Sequence, residues 1–500
     1  MCTRVVSGLR DRIGFALGIA LSVVACSDAS GPDRTSSRVA IVTTVVAQNP
    51  NNNLSALVRF TTRNADSARL TYHIDPGRIG GPISDQSSPF FPVHGDTGTV
   101  PALGLRENTS YEITLHVRSG NSETDTTLSF RAAQLPLELS QLRLAPSQAV
   151  DPITPDYILT DFTGPTSAYL VVFDETGRVC WYRQFGAKPG EVAIDADRQA
   201  NGDYTLFVGV STGWQPTPGR FIQVNAAGDS ITAYSAAAPY TDPHELILEY
   251  DGTTLSHVDI LGYDFRQVDL TALGGTSNQT VAGHVLLRQS PTGAIEFSWN
   301  AWDHFSIADW VFVQPGLAQM PTIDFDHPNS VIKDGDGNYI ISFASLGEIT
   351  KIDATTGQMM WRLGGRHNQF AIVNDPLNGF GIQHHAHLLP NGNLLFIDNG
   401  AHHSPPESRA VEYHLDLNAR TATMVWQYRH SPPLFSPFAG SAQRLENGNT
   451  LVAFGAAAQV AEVTPQGSVV WEAQMQNAGV KVPYFYRAIR LRTLYQTTAQ

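Results

Sequence analysis

Cysteine is almost absent from this sequence: the 500 residues include three. Cys2 and Cys26 lie near the N-terminus, and Cys180 is alone in the rest of the chain. A single cysteine excludes an internal disulfide in the folded part of the protein, so its stability must come from packing. We expect Cys180 to be a small buried hydrophobic side chain.

Basic residues are also scarce, with 32 Lys and Arg against 46 Asp and Glu, which gives a formal net charge of −14. This balance disfavours nucleic acid as a partner, because binding to phosphates requires clustered Lys and Arg. Hydrophobic residues make up 42% and charged residues 16% of the chain, which excludes an intrinsically disordered protein. An anionic substrate would need a locally positive site within an acidic, folded protein.

Apolar runs long enough to cross a membrane as a helix are missing, since the run at residues 13–25 is too short. Three arginines precede this run, and VVAC follows it, with a small residue before Cys26. The pattern resembles a bacterial lipobox, so we predict a lipoprotein signal peptide at residues 1–25, a lipid-modified Cys26 and a polar tether at residues 26–37. An ordinary cleaved signal peptide is the alternative. Either one predicts an exported protein of the periplasm or cell envelope, and the lipobox adds a lipid anchor to a membrane.

Residues 38–135 contain short alternating runs such as ALVRFTT and YEITLHV, separated by turn segments such as NPNNN, DPGRIGG and SGNS. Strands and turns at this spacing are typical of a β-sandwich. We therefore predict an all-β domain over residues 38–135, similar to a fibronectin type III domain. The segment AAQLPLELS links it to the rest of the chain.

A repeat begins near residue 140, and each copy has a turn followed by a short strand that ends in an aromatic residue. These aromatic residues are Trp181, Tyr234, Trp299, Trp361, Trp426 and Trp471. Tight NG and DG turns, as in LPNGNLLFID, mark a second hairpin in the copies. Six such units predict a six-bladed β-propeller over residues 140–495, because a single blade cannot bury its faces alone. A ring of seven or eight blades with one unit missed is the alternative.

Histidine is concentrated in the second half of the chain, where 13 of the 16 lie between His244 and His430. His244 in TDPHELI, His327 in DFDHPNSV and His384 in GIQHHAHL each stand just upstream of a tight turn. Because the inner strands of a propeller line a central shaft, three rings from consecutive blades are predicted to converge in one cavity. Each of them alone could instead be a structural histidine. Most other histidines of this region, His284 among them, are interpreted as structural.

Several segments together resemble the bacterial aryl-sulfate sulfotransferase family: DHPNSV, DGDGNYIIS, IDATTGQMMWRLGG, and QHHAHLLPNGN with FIDNG. The C-terminal YRAIRLRTLY and the order of a β-sandwich before a propeller fit the same family. The resemblance covers about residues 40–495, and its specific part is residues 324–400. It implies an exported enzyme that uses neither a nucleotide sulfate donor nor a cofactor. Such an enzyme moves a sulfuryl group from a phenolic sulfate donor to a phenol acceptor through a sulfated histidine.

The resemblance assigns the sulfated histidine to His384, which forms the family's Q-H motif with Gln383. The H-x-N-S motif matches His327 and Asn329, and the histidine of an earlier blade matches His244. A neutral imidazole suits nucleophilic attack because its ordinary pKa is about 6.5. His244 or His327 would protonate the leaving phenolate and later deprotonate the acceptor. Asn329 would help a protonated imidazole to stabilise the sulfonyl oxygens, and two residues apart on a strand it would share a face with His327.

The sequence departs from the family pattern where the family carries an arginine shortly after H-x-N-S. The stretch ISFASLGEITKID has Ala344, followed by Ser345, at that place. Arg362 or Arg366 in WRLGGR could substitute, although a surface or blade-edge position is the simpler interpretation for both. The loss leaves three hypotheses: a weakened sulfotransferase, an altered substrate, or an anchored propeller that binds a ligand or partner without catalysis.

Metal binding is the rival hypothesis for the histidine-rich segment and the residues that follow it. The imidazoles available to a transition metal would be those of His384, His385, His387, His402 and His403. No spacing forces these rings to converge, and no cysteine pair supports them, so the prediction is a site without metal. Strand alternation further predicts that His385 and His387 share a face opposite to that of His384.

Overall fold

The computed structural model describes residues 38–74, 86–149, 156–186, 191–210, 218–477 and 484–495. The predicted signal peptide, the polar tether and Cys26 lie outside these residues. The described chain consists mainly of β-strands and turns, and none of its helices is long and apolar enough to cross a bilayer. The short helices are α1 (Leu137–Ser140) and the 3-10 turns Thr271–Leu273, Ala301–Asp303, Ile307–Asp309, Leu317–Gln319 and Gly455–Ala457.

The N-terminal part is a sandwich of two antiparallel sheets. Its strands are β1 (Ala40–Gln48), β2 (Ala56–Arg63), β3 (Ser67–Ile74), β4 (Gln86–Ser87), β5 (Phe91–Pro92), β6 (Thr97–Ala102), β7 (Ser110–Ser119) and β8 (Ser122–Arg131). One sheet has the order β1-β2-β6, and the other has the order β4-β3-β7-β8 with β5 beside β3. Buried residues alternate along β2 and β7, because only one face of each strand meets the other sheet. Val58, Phe60, Leu70 and Ile113 belong to the core between them. The predicted β-sandwich is confirmed.

The described residues after the sandwich form six sheets, one after another. The strands up to the third sheet are β9 (Arg143–Ala149), β10 (Tyr157–Thr163), β11 (Ala168–Phe173), β12 (Val179–Phe185), β13 (Glu191–Arg198), β14 (Tyr204–Val210), β15 (Gly219–Val224), β16 (Ser230–Tyr234), β17 (Thr241–Asp251), β18 (Thr254–Val268), β19 (Gln279–Gln289), β20 (Ile295–Asn300) and β21 (Ile323–Asp324). The remaining strands are β22 (Pro328–Lys333), β23 (Tyr339–Phe343), β24 (Glu348–Ile352), β25 (Met359–Gly364), β26 (Ala371–Val373), β27 (His384–Leu388), β28 (Leu394–Asp398), β29 (Arg409–Asp416), β30 (Thr421–Arg429), β31 (Ser441–Arg444), β32 (Thr450–Phe454), β33 (Gln459–Val463), β34 (Val469–Gln476) and β35 (Ala488–Leu491). The strands of these sheets pair antiparallel, except for β21 beside β19 and β26 beside β30, which pair parallel. Cys180, in β12, is free and buried as predicted.

The sheets close into a propeller-like ring through the two ends of this part of the chain. The C-terminal strand β35 pairs with β10 and so completes the first sheet, while β9 pairs with β34 at the edge of the last. Neighbouring sheets contact each other through the strands at one edge of each sheet. Around the ring these strands are, in order, β13, β17, β22, β27, β31 and β35. The number of blades stays a prediction, which the six sheets in the described residues support.

The repeated aromatic residues lie in the last strand of each sheet, and three of them connect neighbouring sheets. Trp181 donates its Nε1–H to the carbonyl oxygen of Ala226 at 2.9 Å, and Trp299 donates to that of Gly357 at 3.0 Å. Trp426 donates to the carbonyl oxygen of Pro465 at 3.0 Å. In each case the acceptor lies in the turn before the last strand of the next sheet. The two halves of the sequence repeat, the turn and the aromatic residue, therefore bind each other across sheets.

Candidate active site

Three histidines from consecutive sheets meet where their first strands adjoin. His244 lies in β17, His327 directly precedes β22, and His384 begins β27. The ring centroids of His244 and His327 are 4.6 Å apart, and the ring of Tyr486 lies 5.5 Å from His244 and 6.0 Å from His384. Of the three histidines singled out in the sequence, His244 and His384 thus contact one tyrosine, and His327 contacts His244.

The backbone on both sides of His384 adopts left-handed conformations. Ile382 has φ 55° and His385 has φ 54°, which is strained for a β-branched or bulky residue. The pairing of β27 with β28 shifts register between His384 and His387, so His385 occupies a bulge. The rings of His385 and His387 contact each other at 4.8 Å, in line with the face predicted for them. The side chain of Gln383 anchors this segment by donating to Ser342 Oγ and to two backbone carbonyl groups.

Hydrogen bonds determine the tautomer of His384. Its Nδ1 atom lies 2.8 Å from Asn399 Oδ1 and 3.0 Å from the carbonyl oxygen of Ile382, and both of these atoms are acceptors. Asn399 is itself oriented, because its amide donates to the carbonyl oxygens of Ser436 and Ala439 at 2.7 and 2.9 Å. Nδ1 therefore carries the proton, and the lone pair is on Nε2, which accepts the N–H of Ala439 at 3.2 Å.

His384 is neutral at physiological pH. Burial lowers its pKa to about 3, and the positive charge of His327 acts in the same direction. An uncharged imidazole with a fixed Nδ1–H presents its Nε2 lone pair as a nucleophile.

Asp324 favours the positively charged form of His327. Its Nδ1–H donates to Asp324 Oδ2 at 2.6 Å, and its backbone N–H donates to Asp324 and Asp326. Burial opposes the charged ring, but the carboxylate of Asp324 outweighs it and raises the pKa of His327. His327 is therefore the cationic ring beside the neutral His384.

His244 has an aspartate partner too, yet its pKa shifts the other way. Nδ1 lies 2.9 Å from Asp242 Oδ1. Burial lowers the pKa of His244, and the nearby positive charge of His327 adds to this, so that Asp242 does not restore it. The pKa values of these two neighbouring rings are thus shifted in opposite directions.

His284, which the sequence interpretation left as structural, connects the two aspartate–histidine pairs. Its Nδ1 lies 2.6 Å from Asp326 Oδ1 and its Nε2 lies 3.2 Å from Asp242 Oδ2, so both ring nitrogens donate to carboxylates. Burial opposes its charge, but Asp326 and Asp324 raise its pKa well above the ordinary value. Within the sequence, the aspartates close before each histidine, in TDPH and DFDH, were the available signal for this network.

Two groups of residues near the site bring possible metal ligands together, but their carboxylates are engaged in hydrogen bonds within the protein. His284, Asp324 and Asp326 bring ligand atoms within 4.8 Å of one another, as do Asp398, His402 and His403. In the first group Asp326 accepts from the ring of His284 and Asp324 accepts from His327. Asp398 in the second is bound to His403 and Arg409. The sequence hypothesis combined His402 and His403 with the three histidines of β27. Those three, His384, His385 and His387, belong to neither group.

Asn329 is placed differently from its expected position beside His327. His327 precedes the strand and has φ 45°, so the rule that alternate strand residues share a face does not apply to this pair. The Nδ2 atom of Asn329 donates to the carbonyl oxygen of Gln383 at 2.6 Å, which ties β22 to the residue before His384. Its Oδ1 has no hydrogen-bond partner among the described residues. The amide therefore supports the backbone at His384, and its role as a donor to sulfonyl oxygens stays a prediction.

Neither of the two arginines proposed to replace the family's arginine is free for that role. Arg362 is paired with both carboxylate oxygens of Glu348, at 2.6 and 2.7 Å, and approaches Asp309 at 3.4 Å. Arg366 donates to the carbonyl oxygen of Trp310. Ala344 is buried and brings no charge.

The C-terminal segment supplies two residues that the sequence interpretation did not place in the site. The hydroxyl of Tyr486 donates to the carbonyl oxygen of Asn329 at 2.7 Å. Arg487 is buried, donates to the carbonyl oxygen of His244 at 3.3 Å and lies 2.9 Å from Asp195. Both precede β35, so the strand that closes the ring also completes the histidine cluster. The segment YRAIRLRTLY, which begins with Tyr486 and Arg487, was the sequence signal that could have identified them.

Comparison with known families matches both parts of the chain. Residues 219–476 match the arylsulfotransferase (ASST) family model, and residues 44–132 match the model of the arylsulfotransferase Ig-like domain. No curated protein sequence shows a significant match.

Solved structures resemble the chain only distantly. A streptogramin B lyase matches with a TM-score of 0.36 and 12% identity over 71% of this chain and 97% of its own. Virginiamycin B lyase from Staphylococcus aureus matches with a TM-score of 0.31 and 9% identity over 68% of this chain and 90% of its own. A Bacteroides caccae protein of unknown function matches with a TM-score of 0.39 and 13% identity over 68% of this chain and all of its own. Likenesses at this level say nothing about the function of the present site.

Proposed function

The chain belongs to the arylsulfotransferase family, and on that basis we propose that it transfers a sulfuryl group from an aryl sulfate to a phenol through a sulfated His384. The observation that carries the proposal is the fixed tautomer of His384, with Nδ1–H held by Asn399 and a lone pair on Nε2. His384 combines this tautomer with a pKa that burial lowers, and positive charge on the neighbouring His327 contributes to that lowering. The family's general activity, aryl sulfotransfer, supplies the substrate class.

In the first half-reaction, Nε2 of His384 attacks the sulfur of the donor, and the bond between sulfur and the phenolic oxygen breaks. His327 gives its proton to the departing phenolate, and Asp324 holds His327 in place. The Nδ1 proton of His384 stays on the ring and is stabilised by Ile382 and Asn399 as the ring becomes an N-sulfo-imidazolium. The N–H of Ala439, now bound to Nε2 at 3.2 Å, becomes a donor to a sulfonyl oxygen.

In the second half-reaction, the oxygen of the acceptor phenol attacks the same sulfur, and the bond between sulfur and Nε2 breaks. His327, neutral after the first step, takes the phenol proton and returns to its charged form. The transition state carries charge on three sulfonyl oxygens, as in phosphoryl transfer. In the first half-reaction, positive charge near those oxygens comes from His327 in place of the family's arginine.

The second candidate is a propeller that binds a ligand without catalysis. Two observations favour it. Ala344 stands where the family carries an arginine, and Arg362, a possible substitute, is paired with Glu348. One charged donor is worth several kcal/mol in a transition state, about 3 where single donors have been removed. A charged His327 is the feature that favours the transferase.

The test is incubation of the purified protein with a chromogenic aryl sulfate and an excess of a second phenol. We expect phenol release that depends on the acceptor, and a sulfated peptide containing His384 in mass spectrometry when the acceptor is omitted. His384→Ala should abolish both. His387→Ala, a change of the same type in the same strand, is the matched control and should retain both. A panel of aryl sulfates that gives neither release nor adduct would establish the binding protein instead.

We further propose that the protein is exported and anchored through a lipid on Cys26. VVAC at residues 23–26 supports this. Expression of the full chain in a bacterial host with labelled palmitate should label the protein and place it in the membrane fraction. Cys26→Ser should remove the label. Unlabelled protein in the soluble periplasmic fraction would contradict the anchor.

A further inference from the structure

A cleft rich in arginine lies where the N-terminal sandwich meets the first sheet of the ring. It has a volume of about 550 Å³. Four arginines from separate segments line it: Arg106 before β7, Arg131 at the end of β8, Arg143 at the start of β9 and Arg178 before β12. We refer to this cavity as the arginine cleft. Its lining shares no residue with the histidine site.

The positive charge of the arginine cleft is not neutralised within the described residues. None of the four guanidinium groups forms an ion pair there. Two acidic residues also line the cleft, but both serve the local backbone: Glu107 accepts the N–H of Leu135, and Asp174 accepts backbone N–H groups of its own turn. Four positive and two negative side chains leave an excess of two positive charges in a chain whose net charge is −14.

Two of these arginines are held directly opposite each other. Arg143 and Arg178 form an antiparallel β-bridge, and the neighbouring N–H of Leu144 donates to the carbonyl oxygen of Gly177 at 2.9 Å. Side chains at facing positions of such a bridge lie on the same side, and like charges there repel each other. The backbone therefore keeps two like-charged residues opposite each other, while Nη1 of Arg143 donates to the carbonyl oxygen of Leu142 at 2.7 Å. An anion bound by both guanidinium groups would offset their repulsion.

We propose that the arginine cleft binds a small ligand that carries two oxyanion groups, as phosphate or sulfate. The planar guanidinium group matches the oxygens of phosphate and sulfate with paired hydrogen bonds, which a lysine cannot do. A cleft of this volume is within the range of small-molecule sites. The excess of two positive charges matches a ligand with two anionic groups better than one.

Such a ligand would connect the two parts of the chain. Arg106 and Arg131 belong to the sandwich, and Arg178 belongs to the first sheet of the ring. A ligand that binds only the folded arrangement raises the stability of that arrangement in proportion to its concentration. We expect the unfolding temperature to rise with the concentration of a bound dianion.

The experiment is isothermal titration of the full chain at constant ionic strength with two probes, inorganic pyrophosphate and a disaccharide that carries two sulfate groups. Saturable binding of either probe in a 1:1 ratio is expected, and the comparison shows which oxyanion the cleft prefers. The double substitution Arg143→Gln with Arg178→Gln should weaken binding about tenfold or more, because each guanidinium contributes charged hydrogen bonds. Arg106→Gln with Arg131→Gln is a second variant, in case the first one affects the bridge.

The matched control is Arg59→Gln with Arg63→Gln, which removes two exposed arginines of β2 outside the cleft. It should bind both probes as the original chain does, and so should His384→Ala, which separates the cleft from the histidine site. The absence of saturable binding by both probes would overturn the proposal. Equal binding by the folded cleft variants would also overturn it.

Discussion

Asn399 Oδ1 lies 2.8 Å from Nδ1 of His384, while the amide nitrogen of Asn399 donates to the carbonyl oxygens of Ser436 and Ala439. This single side chain therefore joins the proposed nucleophile to the loop that follows β30. It decides which nitrogen of His384 carries the proton. It also holds Ala439, whose N–H faces Nε2.

Asn399→Ala is expected to reduce both the rate of transfer and the stability. Loss of orientation at His384 should lower kcat by about 100-fold. Among the described residues, the buried carbonyl oxygen of Ala439 would be left without a donor, and that of Ser436 would keep only the hydroxyl of Ser408, which should lower the free energy of unfolding by about 2 kcal/mol. Steady-state kinetics and urea unfolding measure the two effects. Asn418→Ala, on the exposed turn after β29, is the control, and an unchanged kcat in Asn399→Ala would refute the orienting role.

The pH dependence of transfer should follow His327 on the alkaline side. Because the pKa of His384 is about 3, His384 stays neutral over the ordinary pH range. The raised pKa of His327 keeps its proton available above pH 6.5, and activity is lost as the pH rises through that pKa. Asp324→Asn removes the carboxylate and should move the alkaline limb to lower pH.

The measurement is the rate of the first phenol release from a chromogenic aryl sulfate across the pH range. Asp251→Asn, in the exposed turn between β17 and β18, is the control for Asp324→Asn. An alkaline limb that stays in place in Asp324→Asn would exclude His327 as the proton donor.

His284→Gln should destabilise the protein, because two carboxylates would lose a buried cation. Removal of one partner from a buried ion pair costs about 3–5 kcal/mol. The pKa of His284 is raised in the folded state, so its stabilisation is complete below the ordinary value of 6.5 and is lost as the pH rises through the folded pKa. The variant should therefore lose most stability at low pH and approach the original chain in alkaline solution.

Urea unfolding at several pH values tests this dependence. His257→Gln, in the same sheet but with a side chain that is 34% exposed, is the control and should change little. Equal destabilisation of His284→Gln at all pH values would indicate a packing role without a charge.

Arg362→Gln should affect stability and leave the chemistry in place. Its guanidinium is bound to Glu348 and Asp309, so its loss leaves a buried carboxylate unpaired. Thermal unfolding should shift downward, while the folded variant should form the His384 adduct at the original rate. Arg366→Gln, which removes a donor to a single carbonyl oxygen, is the milder comparison. A large loss of adduct formation in folded Arg362→Gln would show that this arginine replaces the one missing at Ala344.

Trp299→Phe should weaken the connection between the third and fourth sheets. The change removes the donor to the carbonyl oxygen of Gly357 and should lower the free energy of unfolding by about 1 kcal/mol. Trp310→Phe is a suitable control, because Trp310 is buried in the same core and its Nε1 has no hydrogen-bond partner among the described residues. If both variants lose the same free energy of unfolding, the effect comes from the smaller ring and not from the lost hydrogen bond.

Much of the architecture could be predicted because it is encoded locally. Turn residues and terminal aromatic residues recur in each unit, and the structure places each aromatic residue in the last strand of a sheet. His244, His327 and His384 could be singled out for the same reason, since each occupies a comparable place before a tight turn. The connection of Trp299 to Gly357 could not be predicted, because a repeat does not show which neighbour its turn contacts.

The pKa shifts of the site histidines could not be predicted from the sequence. His244 and His327 both follow an aspartate closely, yet the pKa of one is lowered and that of the other is raised. The difference depends on burial and on the positive charge of His327, which is distant from His244 in sequence but has its ring centroid 4.6 Å away. For Asn329 the argument from strand alternation does not apply, because His327 has a left-handed backbone and precedes the strand, so its predicted role stays a prediction.

By itself the sequence determined the all-β architecture, the order of sandwich and ring, and the residue types gathered for the chemistry, because periodicity and turn preference act over a few neighbouring residues. Only the tertiary structure decided which nitrogen of His384 carries the proton and which histidine has a raised pKa. It also decided that Arg362 is paired with Glu348 and that four other arginines line a cleft. Those properties depend on burial and on distances of a few ångströms between residues far apart in the chain, and electrostatic interactions in a buried environment change strongly over such distances.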